Sequence, residues 1–382
     1  MLMQPTSAQD VRDCVCDALS ARDTITIRSG GSKAGFGRLV EAARTLDMRG
    51  LSGIVDYDPP ELVLTVLPGT PLSDIEALLA DRGQMLTFDP FDHGPIYGAP
   101  AGATTIGGVV AAGVAGSQRL TSGSARDHLL GFKAVSGRGE AFVGGAKVVK
   151  NVTGYDLPKI MAGSWGRLAA LTELTLKVLP RPPERLTLAL VGLDEEAAVA
   201  AMAAALGSSA EVAAAAHVPD DAELGTVTLF RLQGVGPSVA ARALQLERLL
   251  ASRGVILRLP ADVADRLWSG MTSLSALGVG PLWRISVPPS AGAAIARQVR
   301  ALGGRCLLDW AGGPVWTTLQ DGEQVLRAAA QKSGGHATLV RADPDERSRV
   351  PVLHPPHPGV AALEERVRRS FDPQGLFETG RF

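Results

Sequence analysis

The stretch Arg28-Ser29-Gly30-Gly31-Ser32-Lys33 follows directly on residues 24–28 (T-I-T-I-R). The β-branched residues of that preceding segment predict a strand. Consecutive glycines after a strand let successive backbone N–H groups converge on one anion, of which a phosphate is the natural example. The same composition is also typical of an ordinary turn. The spacing matches neither the phosphate loop G-x-x-x-x-G-K-[ST] nor a G-x-G-x-x-G that opens a helix.

Two further glycine-rich segments lie downstream. The first, residues 102–108 (G-A-T-T-I-G-G), runs on through small residues to Gly113 and Gly116. Such a density of small residues lets the backbone approach an extended ligand closely, although a tightly packed helix has the same composition. The second comprises residues 154–158 (G-Y-D-L-P) and 163–168 (G-S-W-G-R-L).

The composition is that of a folded chain with a large core. Of 382 residues, 46% are apolar and 20% are charged, and this length suggests about two or three domains. The 38 basic and 39 acidic residues give a net charge of −1, which provides none of the positive field that nucleic-acid binding needs. We therefore predict no nucleic-acid partner. The 44 glycines and 25 prolines show no G-X-Y period, so glycine is expected to serve local backbone geometry.

The ends and the apolar runs of the sequence give no reason to expect export or membrane insertion. Residues 1–10 are polar and lack the basic start and apolar core of a secretion signal. The longest uncharged run, residues 94–118, is interrupted by glycines and prolines, which predicts a glycine-rich loop and no membrane span.

Cysteine and histidine give no metal site. The three cysteines, Cys14, Cys16 and Cys306, are too few for a disulfide framework or for an iron–sulfur cluster. We predict that they are core residues, which is the usual environment of a free cysteine. His354 and His357 lie in a proline-rich loop without a nearby Cys, Asp or Glu to complete a ligand set. No metal is predicted.

Helical and strand periodicities divide the chain into a mixed α/β region, residues 1–180, and a second region that follows the linker P-R-P-P at residues 180–183. Residues 184–345 alternate single strands and helices, which predicts an α+β domain whose antiparallel sheet is covered on one face by helices. Residues 346–382 are expected to form a C-terminal segment that returns to the first domain. The predicted strands are residues 24–28, 62–67, 129–135, 140–143, 171–178, 185–191, 225–232, 255–259, 282–287, 305–309 and 315–319. The predicted helices are residues 10–22, 194–206, 238–253, 263–269, 291–302, 323–333 and 361–371.

Three helices carry more specific expectations. Ser73 or Asp74 is predicted to cap a helix that ends near Gly83, and Asp156 to cap a helix that begins at Leu157. The alanine-rich helix at residues 194–206 is either buried core or a subunit interface.

In chain order the motifs are R-S-G-G-S-K, P-G-T-P-L-S-D-I-E-A-L-L, A-T-T-I-G-G, G-S-A-R-D, K-N-V-T-G-Y-D-L, G-S-W-G and L-T-E-L-T-L-K-V-L-P. Together they resemble the FAD-binding domain of the vanillyl-alcohol-oxidase/p-cresol-methylhydroxylase (PCMH) flavoproteins, and most closely the FAD-binding E subunits of bacterial glycolate oxidases. The resemblance covers residues 24–180 and 371–381. It implies a PCMH-type FAD-binding domain of two small α/β subdomains, followed by a smaller α+β cap domain.

The resemblance also implies where FAD binds. The loop 29–33 surrounds the pyrophosphate, residues 104–108 line the pyrophosphate and ribityl region, and the backbone around Leu171 meets the adenine end. Members with a covalent flavin usually carry histidine where Ser32 stands, so noncovalent FAD is implied. The residues expected to bind the cofactor are Ser29, Gly30, Gly31, Ser32, Lys33, Ala103, Thr104, Thr105, Ile106, Gly107, Gly108, Gly113, Gly116, Ser124, Asp127 and Leu171.

Two positions depart from the family pattern. Trp165 stands where the family's G-S-E-G has glutamate, and Glu378-Thr379 replaces the usual Asn-Pro of the C-terminal motif. Both departures affect the fine geometry expected near the flavin.

The resemblance leaves the catalytic base unassigned. Relatives that oxidise 2-hydroxy acids share an H-x-G-D-G-N-x-H motif in the cap, and this sequence has nothing like it. Its absence favours a subunit of a glycolate (2-hydroxy acid) oxidase complex, which supports or relays electron transfer from a catalytic flavoprotein subunit to an iron–sulfur subunit. The alternative is a stand-alone FAD-dependent dehydrogenase of a 2-hydroxy acid or another alcohol. The expected location is the cytoplasm, or the cytoplasmic face of the inner membrane through partner subunits.

Basic residues outnumber acidic ones between residues 133 and 181. Their excess is typical of a solvated face, and a docking surface for an acidic partner is the alternative. The basic residues are Lys133, Arg138, Lys147, Lys150, Lys159, Arg167, Lys177 and Arg181.

Overall fold

The computed structural model describes residues 1–146 and 154–382, which divide into two compact units. Unit 1 comprises Met1–Gly116, Gly123–Arg181 and Pro355–Phe382, and unit 2 comprises Ser117–Ser122 and Pro182–His354. Both units combine helices with sheet, which confirms the predicted α+β class. No helix in this part of the chain is long and apolar enough to cross a bilayer.

A three-stranded parallel sheet forms the first part of unit 1. Its order is β1-β3-β2, with β1 (Leu2–Met3), β2 (Ile25–Arg28) and β3 (Arg44–Asp47). Helix α1 (Ala8–Ala21) begins at a capping box in which Ser7 and Asp10 bond each other's backbone N–H groups. Its buried residues recur at helical spacing and form one apolar face against this sheet: Val11, Val15 and Ala18.

A five-stranded antiparallel sheet forms the second part of unit 1 over the described residues. Its order is β4-β5-β9-β7-β8, with β4 (Ile54–Asp58), β5 (Val63–Val66), β7 (Leu129–Ser136), β8 (Ala141–Gly145) and β9 (Ala169–Lys177). The short strand β6 (Gln84–Met85) pairs with β10 (Leu179–Pro180). The helices of this part are α2 (Leu72–Ala80), α3 (Ile106–Ala112), α5 (Ala125–His128) and α6 (Leu157–Met161). Each sheet has its own apolar core, as expected of two subdomains.

The C-terminal segment completes the first of these cores. Helix α13 (Pro358–Phe371) leads to Leu376 and Phe377, which are buried in the core that contains Ile25. The Ile25 N–H donates to the Leu376 carbonyl at 2.8 Å. The last residues of the chain are therefore part of the subdomain that begins with β1.

Unit 2 is built on an eight-stranded antiparallel sheet. Its order is β14-β11-β13-β12-β16-β17-β15-β18. The strands are β11 (Glu184–Val191), β12 (Ala214–Asp221), β13 (Gly225–Gly234), β14 (Val255–Arg258), β15 (Leu282–Ser286), β16 (Arg305–Leu308), β17 (Pro314–Thr318) and β18 (His336–Arg341).

Helices cover this sheet on both faces. Those of unit 2 are α4 (Arg119–Ser122), α7 (Glu195–Leu206), α8 (Gly236–Leu250), α9 (Ala261–Ser273), α10 (Pro289–Ala301), α11 (Glu323–Lys332) and α12 (Pro344–Arg349). The alternate residues Leu188 and Leu190 of β11 lie in the core with α7, α8, α10 and α11. Thr187 points to the other face, where it accepts a hydrogen bond from the Trp268 indole of α9 at 3.1 Å. The prediction of helices on one face is therefore wrong for α9.

The alanine-rich helix α7 lies in the core of unit 2. Ala198, Ala201, Met202 and Ala205 are buried there. The core interpretation of this helix is confirmed, since small residues allow it to pack closely on β12 and α10.

Two capping predictions differ from the structure. Helix α2 begins at Leu72 and has no side-chain cap, because its N-cap residue, Pro71, has no side-chain acceptor. The Leu72 N–H donates instead to the Thr104 carbonyl at 2.9 Å. Ser73 and Asp74 therefore lie inside the helix. Asp156 does occupy the N-cap position of α6, but its side chain makes no cap bond and pairs with Lys159 at 2.8 Å.

Candidate functional site

The loop 29–33 that follows β2 lies directly against the segment that precedes α3. A β-carbon built on Gly30 would lie 1.4 Å from the Ala103 carbonyl oxygen and 3.3 Å from Cγ2 of Thr105. Only glycine fits at such a distance. The fold thus joins two of the three glycine-rich segments, although many residues separate them in sequence.

Hydroxyl groups and one carboxylate hold the two segments together. The Thr104 hydroxyl is hydrogen-bonded to the Ser32 hydroxyl at 2.8 Å and to Asp92 Oδ1 at 2.7 Å. Asp92 also accepts the N–H groups of Gly94 at 2.8 Å and Gly102 at 2.6 Å. Burial opposes ionisation of Asp92, but these hydrogen bonds and the charge of Lys33 lower its pKa below the usual value. Asp92 therefore remains a carboxylate that fixes both sides of the site.

Asp92 was not predicted from the sequence. It lies between β6 and α3 in an irregular segment, outside every glycine-rich motif. Its signal was an acidic residue in a loop otherwise dominated by aromatic residues, glycine and proline. That signal is weak because Asp is common in turns.

Lys33 places a buried cation in this site. Its side chain is 8% exposed, and its ammonium lies 3.5 Å from the Ser32 hydroxyl. Burial lowers the pKa of Lys33 to about 8, and the Asp92 carboxylate opposes this shift. A buried ammonium with one long hydrogen bond to a hydroxyl is suited to an anionic ligand.

Two buried hydroxyls on these two segments have no hydrogen-bond partner, namely Ser29 Oγ and Thr105 Oγ1. A β-carbon built on Gly108 would lie 3.6 Å from Thr105 Oγ1 and 3.9 Å from Lys33 Nζ, so these two polar atoms flank one glycine. Buried polar atoms are normally paired. The Thr105 hydroxyl and the Lys33 ammonium are therefore two hydrogen-bond donors beside one glycine, which is the kind of donor set that suits an anionic oxygen such as that of a diphosphate.

Close backbone contacts position α3 behind this site. The N–H groups of Ile106 and Gly107 donate to the carbonyls of Thr70 at 3.0 Å and Pro68 at 2.9 Å. A β-carbon on Gly107 would lie 2.7 Å from Pro68, and one on Gly116 would lie 2.5 Å from Asp89 Cβ. These glycines therefore serve backbone packing. The small-residue helix expected as an alternative for residues 102–116 is present as α3.

Gly113 and Gly31 need glycine for a different reason. Gly113 ends α3 with a φ of 63°, and Gly31 has a φ of 78°. Both angles lie in the left-handed region that L side chains rarely adopt. Gly31 thereby turns the chain inside the loop 29–33.

The remaining predicted residues have local structural roles. Ser124 and Asp127 form the capping box of α5, with the Ser124 N–H donating to Asp127 at 2.8 Å. Leu171 faces Ala134 at a register shift between β7 and β9. Such an irregularity redirects backbone groups. Contact of these residues with a cofactor remains a prediction.

The third glycine-rich segment packs against the end of α3. The N–H groups of Gly163 and Trp165 donate to the carbonyls of Val110 at 3.0 Å and Ala111 at 2.8 Å. The Trp165 ring stacks on Phe36, with centroids 4.4 Å apart and planes 18° apart. The tryptophan that replaces the family's glutamate at position 165 thus makes an aromatic contact with the segment that follows the loop 29–33.

Glu378, the second departure from the family pattern, forms ion pairs. Glu378 accepts hydrogen bonds from Arg167 and Arg368, each at 2.6 Å. It therefore ties the C-terminal segment to the G-S-W-G segment and to α13.

Four of the six basic residues between 133 and 181 that the structure describes form side-chain contacts within unit 1. Lys133 pairs with Glu173 at 3.0 Å, and Arg138 donates to the Ser370 carbonyl at 3.1 Å. With the pairs of Lys159 and Arg167 described above, these contacts favour the solvated-face interpretation. Lys147, Lys150 and the first four residues of K-N-V-T-G-Y-D-L lie outside the described residues.

Cysteines and histidines form no metal centre in the described ranges, where no group of three or more His, Cys, Asp or Glu side chains is placed to hold an ion. His354 accepts the Ala337 N–H at 3.4 Å, and His357 accepts the Gly359 N–H at 3.2 Å. Cys306 is buried, and burial raises its pKa to about 12. The core prediction is confirmed for Cys306, whereas Cys14 and Cys16 are half-buried.

Comparison with known proteins assigns the chain to a family. A family model described as an FAD binding domain matches residues 1–145. Glycolate oxidase subunit GlcE of Escherichia coli K12 is 35% identical to the chain over 385 residues, which covers 100% of this chain and 99% of that protein. The chain belongs to the GlcE family.

Two other similarities place this GlcE-family chain more broadly. Glycolate oxidase subunit GlcD of Bacillus subtilis 168 is 29% identical over 160 residues, which is 42% of this chain and 32% of GlcD. The crystal structure of p-cresol methylhydroxylase with substrate bound matches with a TM-score of 0.75 at 15% identity, over 100% of this chain and 88% of that chain. The PCMH-type fold, the FAD cofactor and the role of an oxidoreductase component are thereby confirmed.

Proposed function

We propose that this GlcE-family chain is the FAD-binding subunit of a glycolate oxidase complex and holds FAD noncovalently through the loop 29–33 and residues 103–108. The observation that carries the proposal is the set of unsatisfied buried groups in that site. Ser29 Oγ and Thr105 Oγ1 have no partner, and the buried Lys33 ammonium has only a 3.5 Å contact with a hydroxyl.

Each of these groups has a distinct part in binding. When bound, FAD supplies the redox chemistry of its ring system. Lys33 neutralises charge on the diphosphate, while Ser29 and Thr105 donate hydrogen bonds that have no other acceptor. Asp92 takes no part in contacting phosphate, since like charges repel, and instead holds Thr104 and Gly102 in place. Gly30 and Gly108 keep side-chain volume out of the site.

Noncovalent attachment is supported by Ser32. This residue stands where members with a covalent flavin carry histidine, and its hydroxyl is already bonded to Thr104 at 2.8 Å. A neutral hydroxyl engaged in this way is a poor nucleophile. We therefore expect acid precipitation of the protein to release all of the flavin.

Membership of a complex is supported by the names and coverage of the relatives. GlcE and GlcD are both named subunits of glycolate oxidase. We infer a catalytic flavoprotein subunit and an iron–sulfur subunit as partners, with a small 2-hydroxy acid as the substrate of the complex. The chain has only three cysteines, so an iron–sulfur cluster in the electron path belongs to another chain. The complex is expected in the cytoplasm or at the cytoplasmic face of the inner membrane.

One purification tests the proposal. The chain carrying an affinity tag is isolated from its native host, and the eluate is examined by visible absorption, by acid precipitation and by mass spectrometry of the co-purified proteins. We expect flavin released into the acid supernatant, together with a larger flavoprotein and an iron–sulfur protein. Protein that neither contains nor takes up FAD would contradict the binding site.

An activity assay distinguishes the proposed subunit role from that of a stand-alone dehydrogenase. The isolated FAD-loaded chain is supplied with glycolate or D-lactate and an artificial electron acceptor. We expect no enzyme-like turnover until the partner subunits are added. Turnover by the isolated chain would instead show a stand-alone FAD-dependent dehydrogenase.

A further inference from the structure

We propose that Arg381 is a positioning residue for the FAD site, because its guanidinium and the Phe382 ring fix the shape of the backbone that carries Lys33. This inference rests on the proposed binding of FAD by the loop 29–33. Arg381 itself is not assigned a contact with the cofactor.

The guanidinium bridges the backbone carbonyl of Lys33, the last residue of the loop 29–33, and that of Phe36. Arg381 Nε donates to the Phe36 carbonyl at 2.7 Å, and Nη2 donates to the Lys33 carbonyl at 2.6 Å. The Arg38 N–H in turn donates to the Arg381 carbonyl at 2.9 Å. The planar fork of arginine holds its two acceptors at a fixed separation. The ends of the turn from Lys33 to Phe36 are therefore held at a set distance.

The same turn has only short-range bonds of its own. The Ala34 N–H donates to the Gly31 carbonyl at 3.0 Å, and the Phe36 N–H donates to the Lys33 carbonyl at 3.1 Å. A turn closed by so few hydrogen bonds changes readily between backbone conformations when no other contact fixes it. The Arg381 bridge adds a long-range hydrogen-bonded constraint to the stacking of Phe36 on Trp165.

Aromatic packing covers this bridge. The Phe382 ring centroid lies 5.7 Å from that of Phe36 and 5.6 Å from that of Trp165. Phe36 is buried beneath them. Tilted rings at these distances attract each other, so the packing restrains Phe36 and the turn that contains it.

The segment that carries Arg381 is itself anchored. The N–H groups of Leu376 and Phe377 donate to the Asp372 carboxylate at 2.8 and 2.7 Å, and Glu378 is held by two arginines as described above. Because this segment is anchored, the Arg381 guanidinium has a defined position. Its hydrogen bonds therefore fix the positions of the Lys33 and Phe36 carbonyls.

The consequence for FAD is that the Lys33 backbone is fixed on one side by Arg381. Its side chain meets Ser32 on the other side. Without Arg381, the carbonyls of Lys33 and Phe36 lose a charged donor, and the turn gains conformations in which the ammonium leaves the site. Binding then requires reordering of the turn, which weakens affinity without removing a cofactor contact.

The test is a titration of the apoprotein with FAD, in which the quenching of flavin fluorescence measures binding. The variants are Arg381→Ala, Arg381→Lys and, as a matched control, Arg369→Ala, whose side chain is 73% exposed and pairs with Glu365 at 2.7 Å. We expect Arg381→Ala to raise the Kd for FAD by about 10- to 100-fold. Arg381→Lys should recover part of this loss, since an ammonium can bond one carbonyl. The control should stay within about twofold of the parent chain.

Two further measurements separate positioning from general stability. The melting temperature of apo Arg381→Ala should stay within about 2 °C of the Arg369→Ala value, while the visible circular dichroism of the bound flavin changes. If Arg381→Ala does not fold, Arg381→Lys and Phe382→Leu carry the test, and each should weaken FAD binding.

The outcomes are distinguishable. A parent chain that does not bind FAD removes the proposed function together with this inference. A parent chain that binds FAD, with Arg381→Ala and Phe382→Leu binding equally well, overturns the role of Arg381 alone. An apo melting temperature that falls in proportion to the loss of affinity shows a structural role and also overturns it.

Discussion

Gly30 and Ala103 are in backbone contact, so close that a β-carbon on Gly30 would lie 1.4 Å from the Ala103 carbonyl oxygen. No rotamer change relieves such an overlap, since both partners are main chain. The loop 29–33 and the segment before α3 therefore keep their separation only while residue 30 is glycine. We expect that separation to set the width of the proposed FAD site, to which Ser29, Lys33 and Thr105 are assigned.

Gly30→Ala should accordingly abolish FAD retention, because the two segments must move apart. We expect the purified variant to be colourless and to have lost about 1–3 kcal/mol of stability through overpacking. The matched control is Gly270→Ala in α9, where a β-carbon meets nothing within 4 Å and helix propensity favours alanine. Full flavin content in Gly30→Ala would show that the loop does not contact the cofactor.

Thr105→Val should have opposite effects on stability and on binding. The variant removes a buried hydroxyl that has no partner in the apoprotein, so the free energy of unfolding should rise by about 1 kcal/mol. FAD affinity should fall about 5- to 20-fold through the lost hydrogen bond. Calorimetry of the apoprotein and a fluorescence titration measure the two effects.

Thr70→Val is the control for that substitution. The Thr70 hydroxyl donates to the Leu67 carbonyl at 2.7 Å and accepts the Gly53 N–H at 2.9 Å. Valine leaves those groups unpaired, so stability should fall by about 1–3 kcal/mol. Equal effects of the two substitutions on stability would show that Thr105 is also engaged in the folded apoprotein.

Lys33 should make stability and FAD binding depend on pH in opposite senses. Burial lowers its pKa from 10.5 to about 8, so the unfolded chain binds more protons between these values. The free energy of unfolding of the apoprotein should therefore rise with pH across this window, by about 3 kcal/mol in total. A bound diphosphate favours the charged ammonium, so FAD affinity should fall as pH rises through about 8.

Lys33→Met isolates both effects, since the difference between parent and variant cancels the titration of other lysines. We expect the variant to lose the rise in stability with pH. It should also bind FAD with a lower affinity that does not change with pH. Asp92 stays ionised throughout, because its pKa is lowered. A parent chain whose FAD affinity is constant from pH 7 to 10 would exclude Lys33 from the site.

His217 should make unit 2 sensitive to acid. Its ring is fully buried and bonded to Thr228 at 2.9 Å, and burial lowers its pKa from 6.5 to about 4. The unfolded chain binds more protons in this window, so stability is complete above pH 6.5 and falls as the pH decreases towards 4, by about 3 kcal/mol. His217→Gln should flatten this part of the stability profile in urea titrations. An unchanged profile in the variant would assign the acid sensitivity to another group.

Most strands and helices were predictable because their patterns are local. The alternating segment of β2 and the periodic face of α1 need no tertiary information. Strand β12 was missed, since A-A-A-H-V-P-D-D resembles a helix or a loop. It forms a strand because it lies between β13 and β16 in the middle of the sheet, where neighbouring strands override weak propensity.

The site was predictable where motifs report backbone geometry and was missed where it depends on distant contacts. The loop 29–33 and residues 103–108 come together as the motifs implied. Asp92 could not be inferred, because its role depends on Thr104 and Gly102 approaching it in space. The role of Arg381 depends in the same way on the tail reaching Phe36.

The discontinuous composition of unit 1 has a consequence for biosynthesis. Its last stretch begins at Pro355, and Leu376 and Phe377 fill the core around Ile25. On the ribosome, this core stays incomplete while all of residues 182–354 are being made, although N-terminal domains generally fold first. Unit 2, whose sequence is nearly continuous, can fold earlier. We therefore expect FAD to bind only after the segment that begins at Pro355 has been synthesised.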